Sequence, residues 1–146
     1  MDFNYETYEK ERDAIRKVNA FHLDGFEKHL ESSGLSERTI EKHLSNVDLF
    51  INEFLCYYDA EDAQQGCYSV SQFLGDWFIR KTMWSSCSEI KSNAASFKKF
   101  YYYLLAVDVI EKKDYDILCD TIKKEMPRWL ATMRRYDAMI DEEDYF

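Results

Sequence analysis

Helix breakers are nearly absent from this chain. One proline, Pro127, and four glycines are spread over 146 residues. Sheets joined by tight turns need many more such residues, whereas long helices need very few. The sequence therefore predicts an all-α fold, a compact bundle of five to six helices in a single domain over residues 1–146. Hydrophobic side chains make up 46% of the chain, enough to furnish the one core that a domain of this length can build.

The remaining punctuation places the helices. Residues 1–14 are polar enough to be an N-terminal arm or a frayed helix. A helix is expected from Ile15 to Ser33, with Val18, Phe21, Phe26 and Leu30 along its inner face and Gly34 as its left-handed stop. Ser36 then caps a second helix, and Leu35 and Ile40 have the spacing of a hydrophobic staple. Its stripe is Ile40, Leu44, Val47, Ile51, Phe54, Leu55 and Tyr58, with Arg38, Glu41, Lys42, Ser45 and Asn52 on the other side. Residues 59–68 read as a loop. Ser69 with Gln72 matches a capping box and Tyr68 with Phe73 its staple, opening a short helix to about Lys81. After the turn TMWSS, Ser86 and Glu89 form a second box. The helix that follows buries Ile90, Ala94, Phe97, Tyr101 and Leu104, and shows Lys91, Ser92, Lys98, Lys99 and Tyr102 to solvent. Asp114 is placed as the cap of a further helix that ends before Pro127, which starts a last one. Residues 137–146 read as an acidic tail.

Charge and chemistry narrow the function classes. The net charge of −9 argues against indiscriminate nucleic-acid binding. Its distribution is uneven, because residues 80–99 and 123–135 are each +4 while residues 48–62 and 137–146 are each −5. No run of 18 apolar residues exists, so no membrane partner is expected. The acidic N-terminus lacks the layout of a secretory signal, which makes the cytoplasm the expected location. Cys56, Cys67, Cys87 and Cys119 form no C-x-x-C pair and read as reduced, half-buried thiols. His22, His29 and His43 read as surface or capping residues, and no H-E-x-x-H, G-x-S-x-G or phosphate loop occurs. No nucleophile, base and orienter can be placed together, so the expectation is no enzyme, no metal, no cofactor and no small-molecule substrate.

The order of three motifs adds a resemblance. "GLSERTIEKHLSNVDLFINEF" resembles the opening of the core-binding (SAM-like) domain of tyrosine recombinases, the phage-integrase class. "SEIKSNAASFKKFYYYLLAVDVI" is similar to that domain's fourth helix, and "EMPRWL" to the segment that leads into the catalytic domain. The likeness covers about residues 20–130. Only 16 residues follow Leu130, and no H-x-x-R occurs there, so strand cleavage by this sequence is not expected. What the resemblance implies is a non-catalytic module that grips double-stranded DNA, accessory to recombination or integration and acting with a separate recombinase or alone. Carried over residue by residue, the DNA-binding candidates are Arg38, Thr39 and Lys42 on the second helix, with Lys91, Ser92, Lys98 and Lys99 on the fourth. Asn93 and Ser96 are further candidate donors. The alternative is a protein-interaction module on the same fold, suggested by the acidic surplus, the acidic tail and the exposed tyrosines.

Overall fold

The computed structural model describes residues 4–144. Among the described residues there is no strand, and the chain forms five helices around one core. Helix α1 spans Tyr5–Ser32 and starts where Asn4 accepts from the Thr7 N–H at 3.1 Å. Residues 5–14 are therefore helical, not an arm. Tyr8 ties them to the body by donating its hydroxyl to the Cys56 carbonyl, and just beyond them Arg16 donates to the Asn52 carbonyl at 2.9 Å.

The inner face of α1 also differs from the expected one. Asn19, His22, Phe26 and Leu30 are buried, whereas Val18 is exposed and Phe21 is 75% exposed. The reason lies in the neighbouring helix. Helix α2 spans Glu37–Asp48 and runs on through a π-helical segment, Leu49–Phe54. Carbonyls at the end of such a helix have no partner within it. Asn19 Nδ2 supplies one to the Ile51 carbonyl at 3.2 Å and Arg16 one to Asn52. The first half of α1 is thus polar where it touches the body, because it caps α2, and only its second half contributes apolar packing.

Helix α3 is continuous through three stretches, Val70–Gln72, a π-helical Phe73–Trp77, and Phe78–Lys81. The expected capping box at Ser69 does not form. A 3₁₀ turn, Gln65–Tyr68, feeds straight into the helix and leaves Ser69 at φ −112°, ψ 4°, with no side-chain cap bond. Tyr68 is exposed and donates to the Asp114 carboxylate, so it is no staple. At the other end Thr82 Oγ1 donates to the Phe78 carbonyl at 2.8 Å and Ser85 Oγ to the Ile79 carbonyl at 3.0 Å.

Helix α4, Cys87–Ala106, follows its sequence closely. Ser86 accepts from the Glu89 N–H at 3.0 Å, and Ile90, Ala94, Phe97, Tyr101 and Leu104 are all buried. It ends in a Schellman motif: Val109 donates to the Leu104 carbonyl at 2.8 Å and Asp108 to the Leu105 carbonyl at 3.1 Å. The residue in the left-handed position is Asp108, at φ 61°.

Helix α5 spans Lys112–Asp144 with Pro127 inside it, so the expected break is not there. Asp114 is not its N-cap either. It sits in the first turn and reaches back to accept from the Glu111 N–H at 3.0 Å. Pro127 costs about 3 kcal/mol inside a helix, through a lost hydrogen bond and a ring clash. Pro127 and Lys123, whose carbonyl loses its donor, are both exposed, so water can serve that carbonyl. Leu118, Ile122, Trp129, Leu130 and Met133 are buried along the opposite face, on both sides of the proline. Burying each of the last three is worth roughly 1.5–3 kcal/mol, which outweighs the break. The expected acidic tail is helical as far as Asp144, and its final two residues lie outside the described residues.

A non-glycine residue in the left-handed region costs about 1–2 kcal/mol, less for aspartate. Asp108→Gly should therefore raise stability by about 0.5–1 kcal/mol, read as a higher urea midpoint with unchanged slope. A lowered midpoint would mean that the aspartate side chain, not the backbone, holds the motif.

Candidate nucleic-acid interface

Helices α2 and α4 pack against each other, which brings the two sets of predicted DNA contacts onto neighbouring elements. The seam between them is polar. Lys42 Nζ donates to Glu89 Oε2 at 2.7 Å. Asn46 Nδ2 donates to Ser92 Oγ at 3.2 Å and to Ser96 Oγ at 3.0 Å, and His43 Nδ1 lies 2.8 Å from Ser96 Oγ. Ser96 Oγ also donates to the Ser92 carbonyl at 3.1 Å.

This seam sorts the candidates. Lys42 is occupied by Glu89 and Ser92 by Asn46. Asn93 and Ser96, which the sequence offered as donors to DNA, are buried instead: Ser96 joins the two helices, and Asn93 Nδ2 donates within α4 to the Glu89 carbonyl at 2.8 Å. Thr39 serves the start of α2, where its N–H and hydroxyl both meet Ser36 Oγ. Arg38 is exposed, but its neighbours Glu37 and Glu41 face Glu27 and Glu31 across an acidic cleft of about 310 Å³ between α1 and α2. The α2 half of the expected cationic face is therefore interrupted by carboxylates.

The α4 half is not. Lys91, Lys98 and Lys99 are exposed, and among the described residues none of them joins an ion pair. Lys91, Ala95, Lys98 and Tyr102 recur at intervals of four, three and four residues, which makes one solvent-facing stripe. The other basic stretch is partly neutralised by its own surroundings. Lys124 pairs with Asp120 at 3.0 Å and Arg128 pairs with Glu125.

The three histidines are more deeply engaged than surface or capping residues would be. His22 is buried and His43 half-buried, and the ring of His29 lies 5.4 Å from that of Tyr103. Burial pushes the His22 imidazole below its usual range, against the pull of Asp62. Burial, then the charge of Lys99, does the same to His43. The His43–Ser96 pair has the contact of a base and a nucleophile, yet Ser96 is 0% exposed, so no substrate atom can reach its hydroxyl. The signal for this seam was present as polar residues at helical spacing, His43 with Asn46 and Ser92 with Ser96, flanking apolar stripes. No known family model, curated protein or solved structure matches the chain.

Both lowered histidines bind protons more readily in the unfolded chain. The folded state is thus penalised as pH falls below the unfolded value of about 6.5. The urea midpoint should be lower at pH 5 than at pH 7.5, and His43→Gln should shrink that difference. Glu61, raised by burial beside Asp59 and Asp62, acts with the opposite sign. An unchanged pH dependence in His43→Gln would remove the assignment for that histidine.

Proposed function

We propose that the chain is a non-catalytic DNA-binding module of the integrase core-binding type, accessory to recombination or integration. The observation that carries this reading is the free lysine stripe on α4 in a chain whose net charge is −9. The order of motifs that resembles tyrosine recombinases supports it. Lys91 and Lys98 are seven residues apart, about 10 Å along a helix. Phosphates on one strand advance by about 3.4 Å each, so the two ammonium groups match positions about three steps apart. In this reading α4 approaches the backbone, and α2 contributes Arg38 alone.

Four phosphate contacts, three from α4 and Arg38, imply a weak, salt-sensitive interaction. The slope of log K against log salt should be near −3.6, which is about a 150-fold loss between 50 and 200 mM. Fluorescence anisotropy on a labelled duplex measures it directly. The triple variant Lys91→Glu, Lys98→Glu, Lys99→Glu should abolish binding. Equal binding by that variant, or none by the native chain at tens of micromolar (about the middle of the non-specific range), would sink the proposal.

A second reading, a protein-interaction module, is favoured by a set of exposed apolar side chains. Tyr57, Tyr58, Met83 and Trp84 are all exposed, and Lys81 Nζ sits 5.5 Å from the centre of the Tyr57 ring. Exposed tyrosine, tryptophan and methionine are the residue types enriched at interface centres. A partner retained after nuclease treatment and lost with Trp84→Ala would favour this reading over DNA.

A further inference from the structure

Lys98 and Lys99 open onto a groove of about 590 Å³ between the end of α1, the middle of α4 and the start of α5. Leu30, Ala95, Tyr102 and Tyr115 line it, with His29 and Ser33 from the end of α1. The volume is that of a small-molecule site. Its charge is what separates it from the rest of the surface. Among the described residues, four other clefts each carry at least one carboxylate, and one of the two between α1 and α2 carries four. The lysine groove carries none.

We infer that this groove binds an anion of mononucleotide size, one that carries a phosphate at one end and an aromatic ring at the other. The two lysines supply the phosphate contact. Tyr102 and Tyr115 supply the ring contact: they stand edge to face, 5.9 Å apart, and Tyr102 keeps half of its surface exposed. Rings prefer such offset or edge-on neighbours, and a stacked base adds about 1–3 kcal/mol. Ala95, between Lys91 and Lys98 on the α4 stripe, adds only a methyl group to the lining.

One effect opposes an anion here, the carbonyl end of α1. A helix C-terminus carries about half a negative charge. Three of its last four carbonyls are already occupied: Ser33 N–H donates to His29 and Leu30, the Ser32 and Ser33 hydroxyls donate to His29, and Gly34 N–H donates to Glu31. Two full positive charges outweigh what remains. The groove shares Lys98 and Lys99 with the proposed DNA contact, but it needs neither Lys91 nor Arg38, so the two readings fail separately.

The test is a titration of the native chain with AMP, inorganic phosphate and adenosine, followed by amide chemical shifts. AMP should bind at roughly millimolar or tighter, and about tenfold better than either component alone. Lys98→Ala with Lys99→Ala should weaken AMP about tenfold or more, and Tyr102→Ala should weaken AMP but leave phosphate unchanged. Lys91→Glu should leave AMP binding intact while weakening duplex binding. A 5′-phosphorylated single strand separates the free nucleotide from a strand end. Binding of the strand without AMP would overturn the inference. So would no saturable shift by about 10 mM AMP, or equal AMP binding in the double-lysine variant. Persistence of AMP binding in a chain that ignores duplex DNA would remove the DNA reading and leave the groove standing.

Discussion

The contact on which the rest of this structure depends is a junction of three phenylalanines. Phe50 of α2, Phe73 of α3 and Phe97 of α4 meet with ring centres 4.5 to 5.7 Å apart, and all three are fully buried. The described π-helical segments lie at this junction, one holding Phe50 and Phe54 and the other Phe73 and Trp77. An extra residue per turn shifts the following side chains around the helix axis. Here it lets Phe54 stack near Phe50 and meet Phe73 and Trp77, so both helices deform around one aromatic cluster. Regular α-helices would have turned some of these rings away from each other. The cost of two irregular segments is offset by rings that each bury a large apolar surface in tilted, edge-on or stacked contact.

What the sequence made legible follows from where burial and periodicity agree. In α4 every predicted inner position is buried, and the predicted serine accepts at its first turn. The same holds for Ser36 and for most of the α2 stripe, although Tyr58 at its end is exposed. In α1 the agreement fails, because the groups it must satisfy are carbonyls of another helix. No periodicity of apolar residues can announce an asparagine and an arginine that face inward to cap a neighbour. Pro127 misleads for a related reason: its cost is local, whereas the stripe that spans it draws its gain from the whole core. Ser69 misleads because the turn before it fixes its backbone first.

The candidate site was legible as residue types and much less so as free charges. Lysines on the outer face of α4 are where the pattern puts them. Which lysines remain available is decided by partners distant in sequence. Lys42 and Glu89 are 47 residues apart, and only packing of α2 on α4 brings them to 2.7 Å. The same packing draws Ser92 and Ser96 into the seam and leaves Lys91, Lys98 and Lys99 outside it. The polar seam and the lysine stripe are two sides of one helix. The inner side holds α4 in a single rotational setting through Asn46 and His43, and that setting fixes which side chains reach outward.

The unbroken run of α5 across Pro127 has a mechanical consequence. Thirty-three residues at 1.5 Å each make a rod of about 50 Å, longer than the roughly 30 Å breadth of a small domain. Its buried stripe reaches Met133, and residues 137–141 are exposed. The far turns therefore stand clear of the body while the near ones are bolted to α3 and α4. A rod anchored in this way transmits orientation, so whatever grasped its outer end would be held at a set angle to the lysine-bearing flank.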